Sequence, residues 1–257
     1  MSQFFGTQEY EIAIPSYQRH ETLRDKTLEY LKRTDIDMQR ITVFVASEAE
    51  RLVYESTLEP DTYGQIIVGE TGMRSIRNFI QMFYAEKTNV FNLDDDLKSI
   101  YERVNDKKKV PLLKLDSVVQ EGFHFCESFK CGLWGIYPVC NQFFMKERVT
   151  FDLRYIVGAV WGTVNTHDTK LSVTLDDKED FERTLKFYIR DGRVVRMENY
   201  APDTNYYGEA GGMQVERTEK RVTESAHILL KRYPNLCSLN TRKVGHTEIK
   251  LKDRRRK

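Results

Sequence analysis

No uninterrupted apolar stretch in the 257 residues approaches the ~20 needed to span a bilayer, and the first residues lack the basic-then-apolar pattern of a secretory signal. A cytoplasmic protein with no membrane partner is expected. Charge of one sign is also missing. The 40 Lys and Arg face 39 Asp and Glu, a formal charge of +1. That balance removes any bulk electrostatic argument for nucleic-acid binding, so such contact has to be local. Cysteine is scarce, and Cys126, Cys131, Cys140 and Cys237 include no C-x-x-C pair. Neither a tetrahedral zinc site nor a disulfide framework follows, and reduced core thiols are expected. What is present is 40% hydrophobic residues, enough to bury the core of one large α/β domain or two small ones.

The first half of the chain alternates apolar strand and amphipathic helix. Tyr10 to Tyr17 reads as a short strand stopped by Pro15, and Glu21 to Arg33 as a helix with Leu23, Leu28 and Leu31 on one face. Ile41 to Ala46 is continuous and β-branched, the pattern of a strand buried on both faces. Ser47-x-x-Glu50 then offers a capping box for a helix to about Leu58. Gln65 to Gly69 is a third strand, Ser75 to Tyr84 a helix, and Val90 to Leu93 a fourth strand. Three strand-helix repeats leading to a fourth strand imply a right-handed, mainly parallel, three-layer α/β sheet. Ligands of such sheets bind outside the carboxyl ends of the strands.

Three segments fall at those ends. Asp94-Asp95-Asp96 places three like charges side by side, and their repulsion calls for a hard, oxygen-preferring cation such as Mg²⁺ or Mn²⁺, or for hydrogen-bond donors. Pro15-Ser16-Tyr17-Gln18-Arg19 supplies a ring to stack on a base, with Ser16 and Arg19 to bond a ribose or pyrophosphate. In Gly72-Met73-Arg74-Ser75-Ile76-Arg77-Asn78 the glycine permits close backbone approach and the helix start offers free N–H groups. Arg74 and Arg77 lie one turn apart, completing an anion cradle. A nucleotide-sugar or a nucleoside triphosphate joins the three pieces.

Together, Ile14 to Arg19, Gly72 to Asn78 and Leu93 to Leu97 resemble the nucleotide-diphospho-sugar transferases of the GT-A fold, a Rossmann-like three-layer α/β/α sandwich. More narrowly they are similar to the glycosyltransferases associated with TET/JBP-type dioxygenases. These are the base-J glucosyltransferase and the phage enzymes that glycosylate hydroxymethylated pyrimidines in DNA. The resemblance spans about Ile12 to Ser99 and is looser beyond. It implies one GT-A domain over 1–257: a nucleotide-sugar half over 1–100, an acceptor half over 101–200, and a closing loop, helix and basic tail over 201–257. It also implies a UDP-sugar donor contacted by Pro15, Ser16, Tyr17, Arg19, Gly72, Arg74, Arg77, Asn78, Asp94 and Asp95, and a Mn²⁺ or Mg²⁺ site at Asp94 and Asp96. The acceptor implied is the hydroxymethyl group of hydroxymethylcytosine or hydroxymethyluracil in DNA. Three acids where the family pattern needs two leave open which pair meets the metal. The rim itself also suits a polysaccharide, lipid or protein acceptor, a nucleotidyltransferase, or a fold reduced to binding.

In the second half, Lys107 to Lys109 reads as a charged connector and Val118 to Phe129 as a helix. Gly132 to Pro138, with Trp134 and Tyr137, suits either core packing or an acceptor wall. Tyr155 to Gly162 reads as a central strand. Asp176-x-x-Glu179 forms a capping box for a helix ending at Gly192, followed by an edge strand at Arg193 to Met197. Asn199 to Gly212 has the composition of a loop able to close over a donor and exclude water. Arg217 to Tyr233 is a helix. In the family resembled, a Glu-Asp pair at a helix start supplies the general base of inverting transfer. That makes Asp180 the base and Glu179 a hydroxyl contact, and a C-terminal histidine, here His246, joins the metal.

Overall fold

The computed structural model describes residues 8–204, 218–240 and 247–252. The strands are β1 (Glu11–Pro15), β2 (Ile41–Val45), β3 (Gln65–Val68), β4 (Asn89–Leu93), β5 (Leu97–Asn105), β6 (Lys108–Pro111), β7 (Leu133–Ile136), β8 (Val149–Thr150), β9 (Val160–Val164), β10 (Val195–Met197), β11 (Tyr200–Thr204), β12 (Cys237–Leu239) and β13 (Ile249–Leu251). Eight of them form a central sheet in the order β3-β2-β1-β4-β9-β7-β10-β8. The first four are parallel. β9 runs against both β4 and β7, so β7 and its parallel neighbour β10 run with the first four, and β8 runs against β10.

Alternating side chains on the strands separate the layers. Ile12, Ile14, Val43, Val45 and Phe91 face a core shared with Leu23, Leu28 and Leu31 of the first helix, Tyr54 of the helix Glu48–Thr57, and Val119 and Phe123 of the helix Leu115–Phe129. Their neighbours Ala13, Phe44 and Val90 face the opposite way onto Ile76 and Ile80 of the helix Met73–Phe83. Phe187 of the helix Glu179–Asp191 covers Leu133 and Trp161 further along the sheet. This is the three-layer α/β sandwich expected from the repeats. Beside it lies a small antiparallel sheet, β11-β5-β6, and a β12-β13 hairpin.

Several expectations are corrected by long-range packing. Lys108 and Lys109 belong to β6 rather than to a connector, because β5 pairs with β6 as a hairpin. Gly132 to Ile136 is core, not an acceptor wall, with Tyr137 and Pro138 half-buried beyond it: β7 is buried throughout and Trp134 is 1% exposed, stacked on Phe91 with ring centroids 5.6 Å apart. Gly122 and Gly162 are small because Trp134 lies against them. A Cβ at Gly162 would sit 2.0 Å from the indole nitrogen. The strand expected over Tyr155 to Gly162 is confined to Val160–Val164, with irregular chain before it. β10 is interior, paired on both sides, and not an edge. Tyr200–Thr204 is a strand paired with β5 and Asn199 a turn before it, whereas 205–212 of the expected closing loop lie outside the described residues. No helix among the described residues is long and apolar enough to cross a membrane. Cys126, Cys131 and Cys237 are buried and, like Cys140, free thiols.

Candidate active site

In the order β3-β2-β1-β4 the chain winds away from β1 in one direction and returns beside it in the other. The carboxyl ends of β1 and β4 therefore flank a topological switch point, where a crevice opens. β1 delivers Ser16 and Arg19 to that crevice, and β4 delivers the acidic turn. Asp95 and Asp96 are both buried, and Asp95 is the one clamped by Ser16. Its carboxylate accepts from Ser16 Oγ at 2.7 Å and from Arg19 Nη1 at 3.3 Å, and burial pushes its pKa up to about 6 against the pull of both donors. Ser16 Oγ also shares a 2.7 Å hydrogen bond with Tyr54, whose hydroxyl accepts from Arg19 N. Asp96 faces Arg19 at 3.6 Å. Ser16 and Arg19 thus clamp the turn, while Pro15 ends β1 and the half-buried Tyr17 stands at the rim.

Thr27 braces the turn from the first helix. Its hydroxyl donates to the Asp94 carbonyl at 2.8 Å and accepts from Leu97 N at 3.0 Å. That helix is α over His20–Thr22, π over Leu23–Leu28 and α over Glu29–Leu31, and the wider turn holds Thr27. Wide turns of this kind recur at functional sites.

Asp94 is the most open of the three acids, its side chain 32% exposed and paired with Arg77 Nη2 at 2.8 Å. Arg77 is buried. It reaches Asp94 on one side and Glu179 at 3.7 Å on the other, so it stands between the two halves of the site. Arg183, one turn along the helix, meets the same Glu179 oxygen at 3.3 Å and stacks on Trp161 at 3.7 Å. Burial first, then the adjacent Asp180 charge, pushes Glu179 up to about 7, with Arg183 and Arg77 pulling it back.

Asp180 accepts a short hydrogen bond from Tyr155, whose ring stacks on Phe181 with centroids 4.2 Å apart. Asp94, Arg77, Glu179, Asp180, Tyr155 and Glu248 line one cavity of about 240 Å³. The capping box expected at Asp176-x-x-Glu179 is not formed. Lys178 occupies the cap with φ 62°, and Asp176 instead accepts from Arg74 N at 3.1 Å. A carboxylate of the chain therefore occupies the helix start that the sequence offers to a diphosphate. Gly72, at φ 93°, begins that helix in a conformation that favours glycine, and the Arg74 side chain is exposed. Asn78 is tied to Val173 by two 2.9 Å bonds, joining the helix Met73–Phe83 to the segment leading into the Glu179 helix. His246 lies outside the described residues.

Among the described residues no three His, Cys, Asp or Glu side chains cluster as a cation cage. Mg²⁺ and Mn²⁺ suit a sparser set, one or two carboxylates with water and substrate phosphate completing the shell. The hard oxygens of Asp94 and Asp96 fit that mode, so these two would hold the ion.

Glu179 gives a pH dependence with a definite sign. Its folded value exceeds the unfolded one, so its contribution to stability is full below the ordinary carboxylate range, near 4.5, and is lost as pH rises through about 7. Glu179→Gln removes that term. The urea midpoint of the wild type minus that of the variant should be larger near about pH 5 than near about pH 8. An unchanged difference would refute the assignment.

No protein-family model matches the chain, and no curated protein matches it in sequence. Solved structures do match. TarS of S. aureus, residues 1–349 in complex with UDP-GlcNAc, aligns at TM-score 0.58 and 15% identity, over 89% of this chain and 67% of that one. The mannosyltransferase PcManGT of Pyrobaculum calidifontis, in complex with GDP-Man and Mn2+, aligns at TM-score 0.56 and 12% identity, over 86% and 64%. The chain thus spans about two thirds of these two solved chains, and 40% of the longer TarS chain. At such identities the likeness establishes the fold: a Rossmann-like GT-A sandwich with a mainly parallel central sheet.

Proposed function

We propose that the protein is a metal-dependent glycosyltransferase that moves a sugar from a UDP-sugar to the hydroxymethyl group of a modified pyrimidine in DNA. The observation that carries the reading is the meeting of Asp94 and the Glu179-Asp180 pair, from opposite halves of the chain, in one cavity with Arg77 between them. A donor-side carboxylate and an acceptor-side carboxylate are the two groups that sugar transfer needs, one for the leaving diphosphate and one for the incoming hydroxyl. The bound ligands named for TarS and PcManGT, UDP-GlcNAc and GDP-Man, support a nucleotide-sugar donor.

Tyr17 at the rim offers a face to the base, and Ser16 and Arg19 hold Asp95 so that the acidic turn keeps its shape. Asp94 and Asp96 would hold Mn²⁺ or Mg²⁺, which supplies Lewis-acid charge for the departing diphosphate. Asp180, oriented by Tyr155, takes the proton of the acceptor hydroxyl as the new bond forms at the anomeric carbon. Beyond the Tyr155–Phe181 pair lies a second cavity of about 420 Å³, lined also by Arg154, Arg196, Lys250 and Lys252. Arg154 and Arg196 are paired there with Asp152 and Glu198, so Lys250 and Lys252 are the positive groups left at this face for an acceptor carrying phosphodiesters.

The test is a screen of UDP-sugars against hydroxymethylated and unmodified DNA with Mn²⁺, read by mass spectrometry of the nucleosides. One sugar mass added to the modified nucleoside, stopped by EDTA and restored by Mn²⁺, is the expected result. Transfer only to a polysaccharide, lipid or protein hydroxyl would overturn the acceptor. Failure of chelation to stop transfer would overturn the metal.

A further inference from the structure

Behind the site, between β4, β9 and the helices Met73–Phe83 and Glu179–Asp191, lies a third and smaller cavity of about 40 Å³. Its polar lining includes Arg77, Asn92, Trp161, Thr163, Asn165 and Arg183, all buried. Of the eleven buried side-chain nitrogen and oxygen atoms without a hydrogen-bond partner among the described residues, six belong to this lining. They are Arg77 Nε and Nη1, Arg183 Nε and Nη2, Trp161 Nε1 and Asn92 Oδ1. Buried polar atoms are rarely left unpaired, so such a concentration points to an occupant that accepts hydrogen bonds. Five of the six are N–H donors; Arg77 Nε lies toward Glu179 at 3.7 Å, which leaves Arg77 Nη1, Arg183 Nε and Nη2 and Trp161 Nε1 for the cavity.

The charge agrees with the donor count. Both guanidiniums meet carboxylates only on the active-site side, Arg77 at Asp94 and Glu179, and Arg183 at Glu179. No acidic residue lines the cavity. Arg183 Cζ sits 3.7 Å over the Trp161 ring, which covers one face of the guanidinium and leaves its in-plane edges to bond. A cation is excluded by two buried positive charges. By the usual measure the space admits about three water-sized atoms, fewer than a tetrahedral oxyanion contains.

We infer that this cavity is a binding site for a monatomic anion, chloride in ordinary solution, held by Arg77, Arg183 and the Trp161 indole N–H. The ion balances the far side of two arginines whose near side orients Asp94 and Glu179, and so fixes both carboxylates from behind. The site stands on the geometry of these residues whatever sugar or acceptor the protein uses.

Crystals grown with bromide should show an anomalous peak within hydrogen-bonding distance of the Arg77 and Arg183 guanidiniums. The melting temperature should be a few degrees higher in chloride than in gluconate at equal ionic strength, as expected for an ion that binds only the folded state. Asn92→Asp, which places a carboxylate on the cavity wall, should abolish both the peak and the salt-specific shift. Ordered waters in place of the peak, or equal melting in the two salts, would overturn the site. Because both measurements are made first on the unaltered protein, they decide the matter even if the variant fails to fold.

Discussion

Asp180→Asn should lower the turnover of sugar transfer by roughly 10²–10⁴-fold, the usual contribution of a positioned general base, while leaving UDP-sugar affinity close to that of the wild type. The substitution is nearly isosteric, and the geometry explains why it isolates proton transfer. Asp180 Oδ1 accepts from Phe181 N at 2.8 Å, a bond an asparagine oxygen keeps. The second oxygen is bonded by Tyr155, and an amide there can donate to the phenol instead. The helix start and the Tyr155–Phe181 stack therefore survive, but the group can no longer take a proton. Among the described residues Asp180 has no hydrogen bond or ion pair with Ser16 or Asp95, so donor binding has no reason to change. Steady-state kinetics at saturating donor, with calorimetry of UDP-sugar binding, checks both halves. Undiminished turnover would remove Asp180 from the mechanism, and weakened donor binding would make it a structural acid.

The first half of the fold was legible because its signals are local. β-branched runs such as Ile41–Val45, the Ser47 side chain accepting from Glu50 N, and Gly72 before a helix each act within a few residues. Their strict alternation fixes a parallel sheet and hence the rim on which the acidic turn falls. Even there the division of labour among the three aspartates was hidden. That Asp95, and not Asp94, is the acid clamped in the interior depends on Ser16, Arg19 and Tyr54, all distant in sequence. In the second half the decisive contacts are long-range. Trp134 reads equally as core or wall until Gly122 and Gly162 are found against it. The capping box at Asp176 is a sound local signal defeated by a competing donor, Arg74 N. Tyr155 and Thr27 carried no sequence signal for their roles. Arg183, four residues after Glu179, could have been found from helical spacing alone.

Glu182 is the second residue whose loss should be severe. Glu182→Ala should destabilise the protein by about 3–5 kcal/mol, the range for removing one partner of a buried charge cluster. For a chain of this size that corresponds to a fall in melting temperature on the order of 10 °C. The carboxylate is fully buried at 0% exposure, yet every interaction it makes is with another segment or turn. It accepts from Thr174 N at 2.7 Å, Leu175 N at 3.1 Å, Thr174 Oγ1 at 2.7 Å and Arg232 Nη1 at 3.0 Å, with Lys186 Nζ at 3.5 Å. It therefore ties the segment before Asp176 to the Glu179 helix, and that helix to the one spanning Glu219–Arg232. Alanine would leave two backbone N–H groups and two cations facing a void, which is why the effect exceeds that of a surface ion pair. Glu182→Gln keeps an oxygen for the backbone donors and should lose markedly less. Urea and thermal denaturation of both variants make the comparison. Equal losses would mean that charge, and not the backbone bonds, holds this segment. A negligible loss in the alanine variant would mean that Asp176 and Asp180 are positioned without Glu182.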